Sequence, residues 1–338
     1  MVRLPIRSIW TKKPSPGPAV GVLGLGQGKA HRVGQVLGLR FHWLWQPVLS
    51  LSLTVLLAWG MAGCGGGLGT PSFREVLLQG DGDSKMLMID INGEISNNPL
   101  MVPNLGALPG MTARIRQELE LAYSDSSIRG ILLRINSPGG GLTDSDVIYH
   151  SIMEFKRAKK VKVVAALGDV AASGGLYIAM SADEIIAHPT SLLGSIGVIL
   201  SHMEFSGLME KYGVTAVPVT SGKFKDIESP FRKRTPEETR MLQKIVDHQY
   251  QTFLSVVQKG RSKMTPEIIQ ENADGRLLTS REAVRIGLID DVGYLDDAYK
   301  RLGVISGFPT NRLVRYANSW MTGNNIYSNV FPIESTGF

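Results

Sequence analysis

Three apolar runs, Met86–Ile91, Arg129–Ile135 and Val161–Leu167, each end at a turn containing glycine, and helix-type spacing follows each of them. After the first comes Thr112–Tyr123 with Ile115, Leu119 and Ala122 on one face. After the second comes a segment with Ile148, Ile152 and Phe155 on one face, which Thr143 would cap. Strands that alternate with helices predict an α/β fold with a largely parallel sheet. In such sheets, sites form outside the carboxyl ends of the strands. Two glycine-rich turns fall there, Pro138-Gly139-Gly140-Gly141 and Gly168-Asp-Val-Ala-Ala-Ser-Gly-Gly-Leu-Tyr177.

The second turn surrounds one hydroxyl, that of Ser173, with small residues and passes directly into a helical pattern. A serine there is clear of bulky neighbours, and the first amides of the helix have no internal partner. Those are the needs of a nucleophile beside an oxyanion site. Taken alone, the same stretch fits a helix cap with closely packed glycines. The first turn is no phosphate loop, because no Gly-Lys-Ser/Thr follows, and it lacks the Gly-x-Gly-x-x-Gly spacing of a dinucleotide site. Its consecutive glycines do expose backbone amides at a strand end, which suits a developing oxyanion.

The rest of the chain adds shorter elements. Ile185–Ala187, Ile196–Leu200 and Val214–Val219 are short strand candidates, with a helix over Glu204–Tyr212. Thr235-Pro-Glu-Glu238 is a capping box with proline at the first helical position, and Gly260 is a natural stop for the long helix it opens. Thr265 and Thr279 start two further helices.

With 43% hydrophobic and 20% charged residues, the composition is that of a folded protein. The net charge of +6 comes from the leader. Arg3, Arg7, Lys12, Lys13, Lys29, Arg32 and Arg40 precede the first acid, Glu75, and removing those seven charges from +6 leaves −1 for residues 41–338. A nucleic-acid partner is therefore not indicated. The only cysteine, Cys64, excludes an intrachain disulfide and a cysteine metal site, and no two histidines stand at a metal-ligand spacing, so neither metal nor cofactor is expected.

Basic residues ahead of the apolar Phe41–Gly63 segment mark a secretory signal or an N-terminal anchor with its basic side in the cytoplasm. Met61-Ala-Gly-Cys64 resembles a bacterial lipoprotein cleavage box, which would make Cys64 a lipidated mature N-terminus. An uncleaved membrane helix with an incidental cysteine is the other reading. Either one places the folded part on the extracytoplasmic side of a bacterial membrane.

A serine nucleophile needs a base. His188 and His202 are the histidine candidates, and neither has a carboxylate pattern beside it. Ser221-Gly-Lys-Phe-Lys-Asp-Ile227 offers Lys223 and Lys225, either of which could serve if burial kept it neutral.

Five stretches taken together, Asn136-Ser-Pro-Gly-Gly-Gly, Ala171-Ala-Ser-Gly-Gly-Leu-Tyr, Gly194-Ser-Ile-Gly-Val, Ser221-Gly-x-x-Lys-Asp and Ala273-Asp-Gly-Arg, resemble in their order the signal peptide peptidase A (protease IV) family, peptidase family S49. The resemblance runs from about Met86 to Tyr294. It implies a Clp protease/crotonase-like fold with a parallel-rich sheet and a C-terminal helical extension. It also implies a membrane-associated serine endopeptidase that degrades cleaved signal peptides or other short hydrophobic peptides. Carried over by residue, Ser173 is the nucleophile, Lys225 the general base, the Gly140 and Gly174 amides the oxyanion hole, and Ser195 a residue that orients the lysine. A single copy of the domain implies the short form, a ring-like homo-oligomer in which neighbouring protomers bring Ser and Lys together. A Clp-like Ser–His peptidase and a non-catalytic membrane scaffold with the same fold are the alternatives.

On this reading residues 1–40 are a basic leader and 41–64 a signal or anchor segment. Residues 65–84 are a tether, 85–308 the peptidase domain, helical from about 235, and 309–338 a C-terminal tail.

Overall fold

The computed structural model describes residues 73–102, 106–318 and 325–327. The leader, the anchor segment with Cys64, and most of the tail lie outside them. The order of elements is β1 (Phe73–Gly80), β2 (Lys85–Asn92), β3 (Leu100–Val102), β4 (Gly106–Leu108), α1 (Met111–Ser124), β5 (Ile128–Ser137), α2 (Leu142–Lys159), β6 (Lys162–Ala172) and α3 (Gly174–Ala179). There follow β7 (Glu184–Ala187), β8 (Leu192–Gly194), α4 (Ser206–Lys211), α5 (Pro236–Gly260), α6 (Pro266–Asn272), β9 (Leu277–Thr279), α7 (Ser280–Arg285), β10 (Asp291–Val292), α8 (Leu295–Ser306) and β11 (Arg312–Asn318).

The main sheet runs β1-β11-β2-β5-β6-β7-β10. It is parallel from β11 to β10, and β1 joins antiparallel at the edge. Because helices cover both faces, the central strands are apolar on both sides. Leu87, Ile89, Ile131, Leu133, Val163 and Ala165 face α1, α2 and α3. Met86, Met88, Leu132 and Val164 face α8 through Ala298, Tyr299 and Leu302. Among the described residues no helix is long and apolar enough to cross a membrane.

Several expectations need correction. Residues 73–80 form β1 within the stretch read as a tether, and β11 lies within the stretch read as a tail. They pair with each other from Phe73↔Asn318 to Gly80↔Arg312, which brings both ends of the domain to one sheet edge. The segments 196–200 and 214–219 carry no strand, and the strand in that region is β8. Gly141, not Thr143, precedes α2, and no side chain caps that helix. The capping boxes at Thr235 and Thr279 form as expected, and Thr265 caps α6. Helix α5 ends at Gly260, where a Cβ would stand 2.7 Å from the Met180 carbonyl oxygen.

A charged cluster lies where β11 diverges from β2. Glu118 of α1 is buried, with its Oε1 2.6 Å from Arg114 Nη1 and no partner for Oε2 among the described residues. Desolvation outweighs Arg114 and pushes this carboxyl up to about 7. The folded chain therefore holds a proton that the unfolded chain releases at the usual carboxylate range. The resulting stabilisation is full below that range and is lost as pH rises toward 7. Glu118→Gln is expected to flatten the decline in Tm between about pH 5 and pH 8 in thermal melts. A variant that keeps the parent slope would show that other groups set it.

Candidate active site

The site is built where β5 and β6 end. The upper half of β6 changes partner: Val164–Leu167 pair with β7, whereas Val170–Ala172 pair with β8. The Ser191 hydroxyl bridges the divide, donating to the Leu167 carbonyl (3.2 Å) and to that of Gly168. Asn136, at the end of β5, accepts from the Val170 N–H at 3.1 Å and donates to the Asp169 carboxylate at 3.2 Å. The first residue of the Asn-Ser-Pro-Gly-Gly-Gly stretch thus holds the strand that delivers Ser173.

Ser173 sits at φ 49°, ψ −119°, a conformation side chains rarely adopt and one that costs about 1–3 kcal/mol. Its N–H donates to the Gly194 carbonyl and its carbonyl accepts from the Tyr177 N–H, both at 2.9 Å. Its hydroxyl accepts no amide of α3. The residue occupies the cap position without capping, which removes the structural explanation for a hydroxyl there.

The glycine turn lies against it. Gly139 and Gly140 have φ 108° and 153°. A Cβ on Gly139 would stand 2.8 Å from Ser173 Cβ and 2.9 Å from the Gly174 nitrogen, and one on Gly140 would stand 2.3 Å from the Ile95 carbonyl oxygen. Both positions therefore require glycine for conformation and for space. The amides of the turn can be accounted for one by one. Gly139 N–H donates to Ser137 Oγ (3.1 Å) and Gly141 N–H to the Ile95 carbonyl (2.9 Å). The Gly140 N–H has no acceptor among the described residues, nor has that of Gly174. These are the two amides expected to form the oxyanion hole.

Ser195 follows Gly194, which pairs with Ala172, so the two serines leave adjacent strands at the same level. Ser195 shares the positive φ of Ser173, 49°, and its N–H is held by the Arg276 carbonyl at 2.8 Å. Strain at both serines is a feature that residue type alone does not reveal.

The structure does not join the base candidates to Ser173 within one protomer. Lys225 lies exposed in the 221–228 turn, its amine without a partner among the described residues. Lys223 is engaged 2.5 Å from Glu237. His188 Nδ1 is 2.8 Å from Thr190 Oγ1 and its ring stands edge-on to Tyr294, while His202 Nδ1 is 4.0 Å from Glu228. Neither histidine reaches Ser173. One feature of this region was not anticipated: Arg232 binds the Asp226 carboxylate through Nε (2.8 Å) and Nη2 (2.9 Å), and Glu238 at 2.6 Å, tying the lysine turn to the start of α5. The Arg232 hydrogen bonds hold the Glu238 carboxyl at about 2 and lower that of Asp226. Among the described residues, no cluster of metal-ligating side chains accompanies the site.

A strained serine between two strand ends, with the unpaired N–H groups of Gly140 in the glycine turn and Gly174 at the start of α3, is an arrangement that can serve acyl transfer, and it is carried on a Clp protease-like fold. The family model for Clp protease matches residues 104–193 and that for peptidase family S49 matches residues 155–306. A candidate signal peptide peptidase of Enterococcus faecium is 35% identical over 75% of this chain and 74% of its own length. A candidate protease of Synechocystis sp. is 36% identical over 62% of this chain and 74% of its own. Among solved structures, a ClpP1 mutant from Listeria monocytogenes aligns with 62% of this chain and 93% of its own at 17% identity, TM-score 0.41. The chain belongs to peptidase family S49 and is a serine peptidase.

The packing around Gly174 supplies a test of the site. A Cβ there would stand 2.3 Å from Ser145 Oγ, and the next nearest atom, Ile95 Cδ1, is at 3.1 Å. Gly174→Ala is expected to lower kcat/KM by roughly 10²-fold by displacing the amide. Adding Ser145→Ala should recover most of the loss, because it removes the obstructing atom. Peptidase assays of both variants decide the point, and absence of recovery would refute the steric account.

Proposed function

We propose that the protein is a membrane-tethered serine endopeptidase that degrades cleaved signal peptides and other short hydrophobic peptides with a Ser173–Lys225 dyad. One observation carries this reading: the Ser173 hydroxyl caps nothing, and two unpaired amides, those of Gly140 and Gly174, stand beside it. In the reaction Ser173 Oγ attacks the scissile carbonyl as its proton passes to the neutral lysine amine. The oxyanion takes hydrogen bonds from Gly140 and Gly174. The lysine then returns the proton to the leaving nitrogen, and water resolves the acyl-enzyme by the same route.

A lysine acts as base only where desolvation keeps it neutral. Lys225 is exposed in a single protomer, so a neighbouring copy must cover it. The stretch between β8 and α5 that carries it suits that role: Ile199, Met203, Val217 and Val219 in the same stretch are 84%, 74%, 81% and 100% exposed. Apolar side chains so displayed mark an interaction surface. We assign them to a ring-like homo-oligomer in which Lys225 of one copy serves Ser173 of the next. Lys225 is favoured over Lys223 because Glu237 already holds the latter. The signal-peptide substrate is supported by the name of the Enterococcus relative, and the tether by the basic, then apolar, sequence ahead of Cys64.

Ser173→Ala and Lys225→Ala are each expected to abolish peptidase activity while assembly, read by light scattering, persists. Mixed oligomers of the two variants should regain a fraction of parent activity, since some interfaces then pair an intact serine with an intact lysine. Full activity in either single variant rejects the dyad, and inactive mixed oligomers reject the shared site. Mass spectrometry of the mature N-terminus should find a lipidated Cys64, whereas an intact leader would identify an uncleaved anchor.

A further inference from the structure

We infer that Ser137 is a positioning residue for peptide hydrolysis, its hydroxyl setting the peptide that presents the Gly140 N–H. This rests on the reading of Ser173 as nucleophile and Gly140 as oxyanion donor.

Ser137 is the last residue of β5 and is fully buried. A register slip after Ile135 pairs it with Ala171, two residues before the nucleophile. Its hydroxyl donates to the Gly93 carbonyl at 2.6 Å and accepts from the Gly139 N–H at 3.1 Å, so one oxygen links the end of β2 to the glycine turn. The Gly139 carbonyl in turn accepts from the Ile95 N–H at 2.8 Å. In a trans peptide the N–H points opposite to the C=O. With the Gly139 carbonyl held on Ile95, the Gly140 N–H of the same peptide plane is directed away from Ile95 and left free.

Three consecutive glycines have wide torsional freedom and no side chains with which to hold this arrangement. Ser137 supplies the side-chain anchor on the side where the turn begins. Its carbonyl oxygen and Cβ also lie 2.9 and 3.3 Å from where a Cβ on Gly175 would stand, so it touches the helix that carries the second donor, Gly174. One buried serine thus anchors the turn that carries Gly140 through its hydroxyl and packs against the helix that carries Gly174. A purely structural serine would stabilise the fold without affecting the charge that develops in the transition state.

The test uses the full chain, a fluorogenic peptide, a fluorophosphonate to count competent sites, and a peptide aldehyde whose adduct places an oxyanion in the hole. Ser137→Ala is expected to lower kcat per titrated site by roughly 10–100-fold, with KM within about threefold and the aldehyde Ki raised by the same factor as kcat falls. Ser137→Cys, of similar volume and with a weak donor, should lie between. If kcat per site and aldehyde Ki stay within about threefold of parent while only Tm falls, the inference is overturned. Loss of folding in both variants assigns Ser137 to the fold and overturns it equally. A parent enzyme unlabelled at Ser173 would refute the nucleophile assignment itself, whereas a labelled parent with an unaffected Ser137→Ala variant refutes this inference alone.

Discussion

The hydrogen bond from the Ser173 N–H to the Gly194 carbonyl is the contact on which the site turns. It holds a non-glycine residue at positive φ by extending the β6–β8 ladder one step beyond Ala172. Such a conformation persists only where its surroundings over-determine it. Here they do so from three sides. Ser191 fixes the point at which β6 changes partner, and Asn136 grips Val170. Tyr177 is fully buried between Tyr149 and Phe253, and its hydroxyl donates to Asp146 at 2.6 Å. Burying an aromatic of that size contributes about 1.5–3 kcal/mol, enough to offset the strain at the cap position of the same short helix, four residues earlier.

The chemistry divides along the same line as the packing. Ser173 and the free Gly140 and Gly174 amides follow the ends of β5 and β6, central strands of the sheet whose inner residues are almost wholly buried. The lysine turn belongs to the exposed stretch after β8, which in a single protomer makes few contacts with the core. On the proposed reading this division is functional, because the base becomes competent only when another copy covers it. Activity would then depend on assembly while the oxyanion hole stays preformed in each protomer.

The parts of the fold legible in the sequence are those governed by one local rule. The strands β2, β5 and β6 are apolar because helices cover both faces, and Thr235, Thr265 and Thr279 cap helices by short-range hydrogen bonds. The failures come where pairing is distant or a partner is absent. Edge strand β1 shows the mixed exposure of a half-covered ribbon, and β11 carries two arginines, one of them, Arg315, buried among charges from elsewhere in the chain. Val214–Val219 has strand-like composition but no strand edge to pair with, so its valines face outward. In the candidate site, Ser173, Gly140, Gly174 and Ser195 stand out in the sequence through their motifs, and the structure brings them to neighbouring strand ends without joining Lys225 to them. The positive φ of both serines and the role of Ser137 required coordinates, because they arise from register between strands distant in sequence.

On the proposed reading, the carboxylates around the lysine turn bear on whether Lys225 can act as a base. A carboxylate within about 4–6 Å favours the charged amine and opposes a role as base. Asp226 is the next residue, Glu228 closes the turn, and Glu237 and Glu238 open the neighbouring helix, so four acids lie close in sequence. Each is already engaged: Asp226 and Glu238 converge on Arg232, Glu228 pairs with Arg234, and Glu237 holds Lys223. The Arg232 fork therefore serves two ends at once. It fixes the turn to α5, and it engages Asp226 and Glu238, so that on the proposed reading a covering protomer meets an amine with no ion-pair partner in its own chain among the described residues. Asp226 pairs with Arg232 instead of its neighbour in sequence, and on the proposed reading the placement of that one arginine leaves the lysine amine for the covering copy.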